Sequence, residues 1–430
     1  MRKWKTLYRM LVMASEAHAR WEVEISSNIL KDKRKMWLLG LMGGSAVLIT
    51  VAFAADLPTM LGGKEAYTPS FYTPTTFLVS TIIGMCAGLI TGAIGAGGGF
   101  IITPALMSAG VKGILAVGTD LFHIFAKAIM GTVVHKKLGN VSTSLAIAFL
   151  AGSIAGAMGG GLVNRTVYEI NPVLSDTFIS VVYVVLLGFL GIYSLLDFLR
   201  LRKMGDQVGA HGESPHGATP HGATPVSEKA GLPARLQAAK IPPLITFDED
   251  LVPGGKKIPA LFVALCGLIV GFVAAIMGVG GGFLTFPMFV YILGVSSFTT
   301  VGTDILQIIF TAGFAAISQY AIYGFIFYTL AMGMLIGSLI GIQLGALTTK
   351  VVKGIYIRGF YAMAVLAGFV NRLFALPKQL REMEILNISK GTVDTLSAVG
   401  NGIFFLVVGV FAFWVISKFV TNLNVLREEG

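Results

Sequence analysis

Apolar runs as long as a lipid bilayer is thick recur along the whole chain and constrain its fold more than any other feature. Each run is about the length of one membrane crossing: Trp37–Ala55, Phe77–Ile94, Leu115–Val134, Val141–Leu162, Phe178–Leu199, Ile258–Met277, Thr300–Ile322, Phe325–Leu347, Phe360–Leu376 and Ile403–Val420. Only 13% of the residues are charged, against about 25% in an average soluble domain. The sequence therefore predicts an all-α polytopic membrane protein.

Basic residues cluster ahead of the first apolar run, in a chain whose net charge is +10: Arg2, Lys3, Lys5, Arg9, Arg20, Lys31, Lys33, Arg34 and Lys35. Positive charge beside a span holds that end of the chain in the cytoplasm. Residues 1–36 are therefore predicted to form a cytoplasmic amphipathic segment and 37–55 a transmembrane anchor. Cleavage of residues 1–54 as a signal peptide is the alternative. No basic platform interleaved with aromatic residues accompanies the cluster, which argues against a nucleic-acid partner.

Three motifs occur twice, in the same order, which indicates a duplication. GAGGGF at 95–100, followed by Pro104, matches GVGGGF at 278–283, followed by Pro287. VGTD at 117–120 recurs at 301–304, and AGSIAG at 151–156 matches IGSLIG at 336–341. The chain is therefore predicted to consist of transport repeat 1 at 76–199, a cytoplasmic linker at 200–257, transport repeat 2 at 258–376 and a C-terminal transmembrane helix at 399–420.

The linker contains the run HGESPHGATPHGATP at 211–225. This composition is typical of a flexible spacer, with weak metal binding by its histidines as the alternative. The stretch IPPLITF at 241–247 is apolar enough to dock against the body of the protein.

The positive charges of the short loops favour opposite orientations of the two repeats in the membrane. Repeat 1 carries Lys136 and Lys137 in a loop whose counterpart in repeat 2, 320–325, is uncharged. In repeat 2 the charges lie in the next connection instead, as Lys350, Lys353 and Arg358. Inverted repeats need an odd number of passages each, so 76–109 and 258–293 are each predicted to form a long helix, a glycine break and a short returning helix. Both termini then lie in the cytoplasm. Parallel repeats with an even number of crossings are the alternative.

The glycine runs that break these two helices form the predicted anion site. Glycine lets an oxyanion approach the backbone closely, and a helix that starts after the break presents free N–H groups and the positive end of its dipole. The predicted substrate-binding residues here are Gly97, Gly98, Gly99, Phe100, Gly280, Gly281, Gly282 and Phe283. The alternative is that these glycines only permit close helix crossing. That structural role is the one predicted for Gly152, Gly156, Gly160, Gly337, Gly341 and Gly345, which recur at four-residue spacing.

Few ionisable residues lie inside the apolar runs, and those after the VGT motifs are candidates for function. Asp120, His123 and Lys127 share one helix face, and their counterparts in repeat 2 are Asp304, Gln307 and Thr311. We expect further substrate contacts from Thr119, Thr303, His123, Gln307 and Lys127. Asp120 and Asp304 are expected either to couple transport to a proton or to cap a helix. A satisfied interhelical hydrogen bond is the alternative role for His123.

The sequence contains no nucleophile–base pair, metal-ligand cluster or cofactor motif, so we expect neither catalysis nor a bound cofactor. The two cysteines, Cys86 and Cys266, lie in apolar runs and predict neither a disulfide framework nor a metal site.

The paired glycine loops, each followed by a proline and then by VGTD, resemble the sulfite exporter TauE/SafE family, also called the toluene-sulfonate uptake permease family. The likeness covers roughly 76–376. It implies an integral membrane carrier for small sulfur-containing anions such as sulfite, sulfoacetate and other organosulfonates. It further implies an exporter in the bacterial inner membrane, driven by the proton-motive force or a counter-ion. An anion channel and an importer of such an anion are the alternatives.

Overall fold

The computed structural model describes residues 74–94, 98–137, 142–205, 232–239, 241–248, 255–348, 351–352 and 354–422. All of them belong to one of two compact units of the chain, the one that covers residues 65–430. The predicted cytoplasmic segment 1–36, the anchor 37–55 and the spacer 211–225 lie outside the described residues.

Repeat 1 is a series of helices joined by short connections: α1 (Pro74–Ile94), α2 (Gly99–Ser108), α3 (Gly113–Lys137), α4 (Thr143–Ile170) and α5 (Pro172–Gly205). The linker adds a short helix, α6 (Leu232–Ala238), and two strands, β1 (Leu244–Phe247) and β2 (Lys256–Pro259). The strands pair antiparallel, with Ile245 opposite Ile258.

Repeat 2 shows the same order of helices: α7 (Ala260–Met277), α8 (Gly282–Pro287), α9 (Ser297–Phe314), α10 (Tyr328–Thr348) and α11 (Gly354–Glu382). Two π-helices continue α8 over Met288–Leu293 and α9 over Ala315–Ala321. A last helix, α12 (Lys390–Thr421), packs against α11. The helices of 258–376 therefore follow one another in the same order as those of 76–199.

The helices confirm an all-α polytopic membrane protein. Within the described residues, the segments long and apolar enough to cross a bilayer are Thr143–Ile170, Pro172–Arg200, Ala260–Met277, Tyr328–Gly345, Ile355–Glu382 and Lys390–Thr421. The β1–β2 pair is the only sheet in that part of the chain.

Both predicted helix breaks are present. The chain leaves α1 at Ile94 and starts α2 at Gly99, and it leaves α7 at Met277 and starts α8 at Gly282. The residues just before the two returning helices, Gly98 and Gly281, have φ angles of 67° and 88°, a left-handed conformation that costs glycine little. The prediction of a glycine-broken helix in each repeat is confirmed.

Glycines at four-residue spacing bring α4 into backbone contact with α7. A Cβ atom on Gly152, Gly156 or Gly160 would overlap the carbonyl oxygen of Ala264, Leu268 or Phe272, respectively. Without side chains in between, the two backbones approach as closely as helices can. The predicted crossing role of these glycines is confirmed, and the rising order of the partners shows that the helices run parallel.

The same arrangement joins α1 to α10. A Cβ atom on Gly337, Gly341 or Gly345 would overlap the carbonyl oxygen of Thr81, Met85 or Leu89. Each pair thus takes one helix from each repeat, α1 with α10 and α7 with α4. The reciprocal glycines, which were not predicted, share both the four-residue spacing and the duplication offset: Gly84, Gly88, Gly267 and Gly271.

The equivalent helices α3 and α9 run in opposite directions. Near the start of α3, a Cβ atom on Gly118 would lie 3.0 Å from Cβ of Tyr320, in the π-helix that ends α9. Further along α3, the ring of Phe125 contacts Gly313, earlier in α9. The start of α3 therefore lies beside the π-helix that continues α9, which together with α9 we call the α9 segment.

A second, smaller hydrophobic cluster lies beneath the linker. Phe247 and Ile258 of the β1–β2 pair are buried with Phe289 and Leu293 of the returning helix in repeat 2. The ring of Phe149 on α4 meets Phe289 edge to face at a centroid distance of 5.1 Å. The expected docking of the 241–247 stretch against the body of the protein is confirmed.

Candidate functional site

The two glycine breaks lie in contact with each other in the interior. A Cβ atom on Gly99 would be 2.7 Å from Cα of Val279, and one on Gly280 would be 2.6 Å from Cγ2 of Ile124 on α3. Gly98, Gly281 and Gly282 are also buried, whereas Gly97 lies outside the described residues. The breaks of both repeats thus meet at helix α3, with no space for a side chain at Gly99 or Gly280.

The first aromatic residue after each break also reaches the other repeat. The rings of Phe100 and Phe283 are both buried, with their centroids 6.0 Å apart. Tyr361 of α11 meets Phe100 edge to face at 5.8 Å. These rings form an apolar wall beside the breaks, in which Phe100 and Phe283 lie close together. Their contact with substrate stays a prediction.

The threonines of the two VGT motifs join the repeats. Oγ1 of Thr119 accepts a hydrogen bond of 2.9 Å from the backbone N–H of Phe327, just before α10. Oγ1 of Thr303 accepts one of 3.0 Å from the backbone N–H of Ser142, just before α4. Each threonine therefore supplies an acceptor to a helix start in the other repeat, where backbone N–H groups lack intrahelical partners. Their contact with substrate stays a prediction.

Asp120 and His123 form a buried polar pair on α3. The Oδ2 atom of Asp120 accepts a hydrogen bond of 3.1 Å from Thr103, and Nε2 of His123 lies 2.8 Å from Oγ of Ser338 on α10. The facing atoms, Asp120 Oδ1 and His123 Nδ1, are 3.5 Å apart. Within the described part of the chain neither of these two atoms has a hydrogen-bond partner. The interhelical hydrogen bond considered for His123 is present.

Repeat 2 replaces this pair with a chain of hydrogen bonds between neutral groups and one carboxyl. Nε2 of Gln307 donates to Oδ1 of Asp304 at 2.7 Å, and Oε1 of Gln307 accepts from Thr311 at 2.9 Å. Thr311 in turn lies 2.8 Å from Oγ of Ser153 on α4. Ser153 and Ser338 are the serines of the duplicated AGSIAG and IGSLIG motifs, so both polar chains end on equivalent residues.

The two aspartates do not cap the helices that carry them. Asp120 and Asp304 lie beyond the first turn of α3 and α9, which begin at Gly113 and Ser297. A capping side chain must precede the first turn, and Ser296 does this for α9 by accepting from the N–H of Thr299. Lys127 lies two turns further along α3, on the same helix face as Asp120.

Two buried arginines were missed by the sequence analysis. Arg165 of α4 donates from Nη1 to both the backbone oxygen and Oε1 of Gln319, at 2.8 and 2.7 Å. Its guanidinium carbon lies 4.0 Å from the centre of the Tyr323 ring, a cation–π contact. The residue therefore holds the end of α4 to the end of the α9 segment.

Arg372 of α11 holds the end of the returning helix in repeat 1. It donates from Nη2 to Oγ of Ser108 at 2.8 Å and to the backbone oxygen of Pro104 at 3.3 Å. Nε donates to Oδ1 of Asn371 at 2.7 Å. Both arginines follow a Val-Asn dipeptide near the end of an apolar run. A positive charge at such a position is rare, and it is the sequence feature from which a buried role could have been predicted.

Comparison with known proteins identifies membrane transporters as relatives. Two relatives from Bacillus subtilis (strain 168) are both named probable membrane transporter proteins. YjnA is 22% identical over 270 residues, covering 62% of this chain and 87% of the relative. YunE is 24% identical over 283 residues, covering 63% of this chain and 88% of the relative. No solved structure matches the chain.

The model of the family described as "Sulfite exporter TauE/SafE" matches residues 80–371 of the chain. This stretch begins inside α1, ends inside α11 and contains both glycine breaks and both VGT motifs. It covers more than half of the chain and every polar contact described for the site except those that Arg372 makes. The chain belongs to the sulfite exporter TauE/SafE family.

Proposed function

We propose that this protein is a secondary carrier that exports sulfite or a small organosulfonate anion across the inner membrane by alternating access. Family membership supports membrane transport, and the family description supports the sulfur-containing anion. The observation that carries the proposal is the meeting of two glycine breaks, one from each repeat, in the buried centre of the helices.

The breaks have the chemistry of an anion site. Each returning helix starts directly after a glycine in the left-handed conformation, so its first N–H groups and the positive end of its dipole point toward the break. An oxyanion supplies the acceptors that these N–H groups lack, and the missing side chains allow its oxygens to approach. Lys127 on α3, three residues beyond Ile124 at the contact, adds a positive charge to this part of the helix.

The breaks touch each other in this conformation, so the anion has to separate them in order to bind. Contact between Gly99 and Val279 fits a state in which the site is closed. We expect the site to open when the elements of one bundle rock against the other. The parallel pairs α1–α10 and α4–α7 are the natural rigid parts because their backbones touch.

The opposite directions of α3 and α9 support the proposal of inverted repeats. In carriers with inverted repeats, related movements of the two halves open the site to one side of the membrane and then to the other. In the proposed topology the linker and both termini lie in the cytoplasm, as the basic residues ahead of the first apolar run favour.

We infer that the Asp120–His123 pair carries the coupling proton. The two facing atoms lie close together without other partners among the described residues, so a proton gained or lost there changes their interaction directly. The counterpart Asp304 accepts a hydrogen bond from Gln307 instead. Because an amide does not take up a proton at neutral pH, we expect no proton to be exchanged between these two side chains. No bound cofactor enters the proposal.

The test uses purified protein in liposomes loaded with sulfite. A carrier exchanges labelled external sulfite for the internal pool against its gradient, whereas a channel only dissipates the gradient. Gly281→Ala is the diagnostic variant, with Gly110→Ala as its control, because the two glycines have similar φ angles of 88° and 91°, which an alanine adopts only with strain. At position 281 the new Cβ atom would also lie 2.8 Å from Cγ1 of Val270, at the break itself. We expect Gly281→Ala to raise the KM for sulfite and Gly110→Ala to leave it unchanged. Equal KM values in the two variants would exclude the break as the binding site.

A further inference from the structure

The linker holds the end of the returning helix in repeat 2. We call residues 293–296, which connect this helix to α9, the second corner. Nε2 of Gln237 on α6 donates a hydrogen bond of 2.8 Å to the backbone oxygen of Leu293. Nζ of Lys256 on β2 donates one of 3.2 Å to the backbone oxygen of Gly294. The carbonyl groups that the helix end leaves without intrahelical donors are thus satisfied from the linker.

Asp248, at the end of β1, completes these contacts. Its carboxylate accepts from the backbone N–H of Ser296 at 3.0 Å and from Oγ of the same residue at 2.7 Å. It also pairs with Lys256 at 3.8 Å. Asp248 is only 4% exposed and has a φ angle of 55°, a conformation that aspartate tolerates better than most residues. The local backbone therefore directs a buried carboxylate at the start of α9.

Repeat 1 has an equivalent connection, residues 109–112 between α2 and α3, which we call the first corner. It is held by different residues. There Asp176 of α5 accepts a hydrogen bond of 2.7 Å from the N–H of Gly113, at the start of α3. Arg372 of α11 donates to Ser108 and Pro104 at the end of α2. Each corner thus has one carboxylate for a helix start and one cation for a helix end. Transmembrane helices supply them in repeat 1, and the inter-repeat linker supplies them in repeat 2.

The two corners lie at opposite ends of the molecule. Helix α3 starts at the first corner and α9 starts at the second, and these helices run antiparallel. The second corner is on the side of the start of α4, because Thr303 near the start of α9 bonds Ser142. The contacts between the linker and the second corner therefore all lie on one side of the helix bundle, so we expect a change there to affect access from one face of the membrane only.

The returning helix connects the second corner to the glycine break. Helix α8 and its π-helix run without interruption from Gly282 to Leu293. Left-handed glycines flank this rod, Gly281 at 88° and Gly294 at 74°, so the chain can pivot at both ends. Because the helix is continuous, a displacement of its end at Leu293 is transmitted to its start, next to Gly280–Gly282.

We propose that linker residues 232–239, 241–248 and 255–259 form a clamp that keeps the returning helix of repeat 2 seated, and that releasing the clamp opens the glycine break to the linker's face of the membrane. Gln237, Asp248 and Lys256 are then positioning residues that act on the site through the helix. The idea that this opening serves transport rests on the proposed function, but the opening itself does not.

The experiment measures access to the break from each face separately. A cysteine introduced as Val279→Cys, in a chain with Cys86→Ala and Cys266→Ala, is labelled with a membrane-impermeant maleimide in right-side-out and inside-out vesicles. Asp248→Asn removes one charge from the clamp, and Gln237→Ala is a milder second variant. Asp394→Asn is the control, because Asp394 forms an exposed ion pair with Lys378 at 3.7 Å, away from the clamp.

We expect Asp248→Asn to accelerate labelling on the order of tenfold from the linker's face, and from that face alone. Gln237→Ala should act in the same direction, and Asp394→Asn should have no effect. Unchanged labelling, or equal acceleration from both faces together with a lower unfolding temperature, would show a purely structural contact and overturn the clamp. Labelling needs no substrate, and sulfite exchange is measured on the unsubstituted protein, so one-sided acceleration together with no exchange by that protein would refute the proposed function and keep the clamp.

Discussion

The imidazole of His123 and the hydroxyl of Ser338 lie 2.8 Å apart, although they belong to different repeats. This bond fixes one ring nitrogen of His123 to α10 and leaves the other facing Asp120. In repeat 2, Gln307 takes the place of the histidine and Thr311 extends the chain to Ser153. The two repeats therefore offer a matched comparison between a pair that can exchange a proton and one built around an amide.

Asp120→Asn should separate exchange from coupling. The amide keeps the shape of the side chain but cannot gain or lose a proton at neutral pH. We expect sulfite–sulfite exchange in liposomes to persist while accumulation driven by a pH gradient is lost. Asp304→Asn is the matched control and should retain both activities. Loss of gradient-driven accumulation in Asp304→Asn alone would move the coupling proton to repeat 2.

Lys127→Gln should weaken substrate binding. If the ammonium group contributes charge near the breaks, its removal raises the KM for sulfite by about tenfold, the equivalent of ~1.4 kcal/mol. Lys378→Gln removes a lysine whose side chain is 48% exposed, and we expect it to leave the KM unchanged. Initial rates of exchange over a range of sulfite concentrations give both values, and equal KM values would remove Lys127 from the site.

Gly156→Ala should destabilise the protein much more than an alanine on an open helix face. The new methyl group would overlap the carbonyl oxygen of Leu268 and force α4 and α7 apart. At Gly402 on α12 a Cβ atom meets nothing within 4 Å, so Gly402→Ala should be neutral or stabilising by about 0.5–1 kcal/mol. Thermal unfolding in detergent compares the two, and similar midpoints would contradict the close helix contact.

Arg372→Met should cost roughly 3 kcal/mol of unfolding free energy, because it leaves buried acceptors at Ser108, Pro104 and Asn371 without their charged donor. Arg358→Met is the control: Arg358 is partly exposed and pairs with Asp197 at 3.7 Å, where a contribution of about 0–1 kcal/mol is typical. Unfolding in detergent measures both variants. A cost for Arg372→Met no larger than for Arg358→Met would show that the first corner does not depend on it.

The membrane fold and the position of the breaks could be predicted because both follow from local sequence. Long apolar runs have few alternatives to membrane helices, and clustered glycine weakens a helix. The glycine cluster at 159–161 nevertheless stays helical inside α4, so the duplicated motif, and not glycine content alone, marks the breaks. The four-residue spacing of glycines likewise predicts where two helices cross closely. These features need no knowledge of what each segment meets.

Other parts of the site depend on distant partners and could not be predicted. Thr119 and Thr303 look like polar residues available to a substrate, but each bonds a helix start in the other repeat. Asp248 lies in a polar linker, and nothing in its neighbourhood indicates a contact with Ser296. The sequence shows which side chains are polar, whereas the tertiary structure decides whether a backbone group already engages them.

The exchange of partners between the repeats has a consequence for how the protein is made. The glycine-lined partners of α1 and α4 are α10 and α7, respectively, and both partners are synthesised later. Until then α1 and α4 expose a strip of bare backbone to lipid or to the insertion machinery. Repeat 1 expressed as a fragment should therefore insert but fail to reach a protease-resistant state, and supplying repeat 2 as a separate chain should restore it.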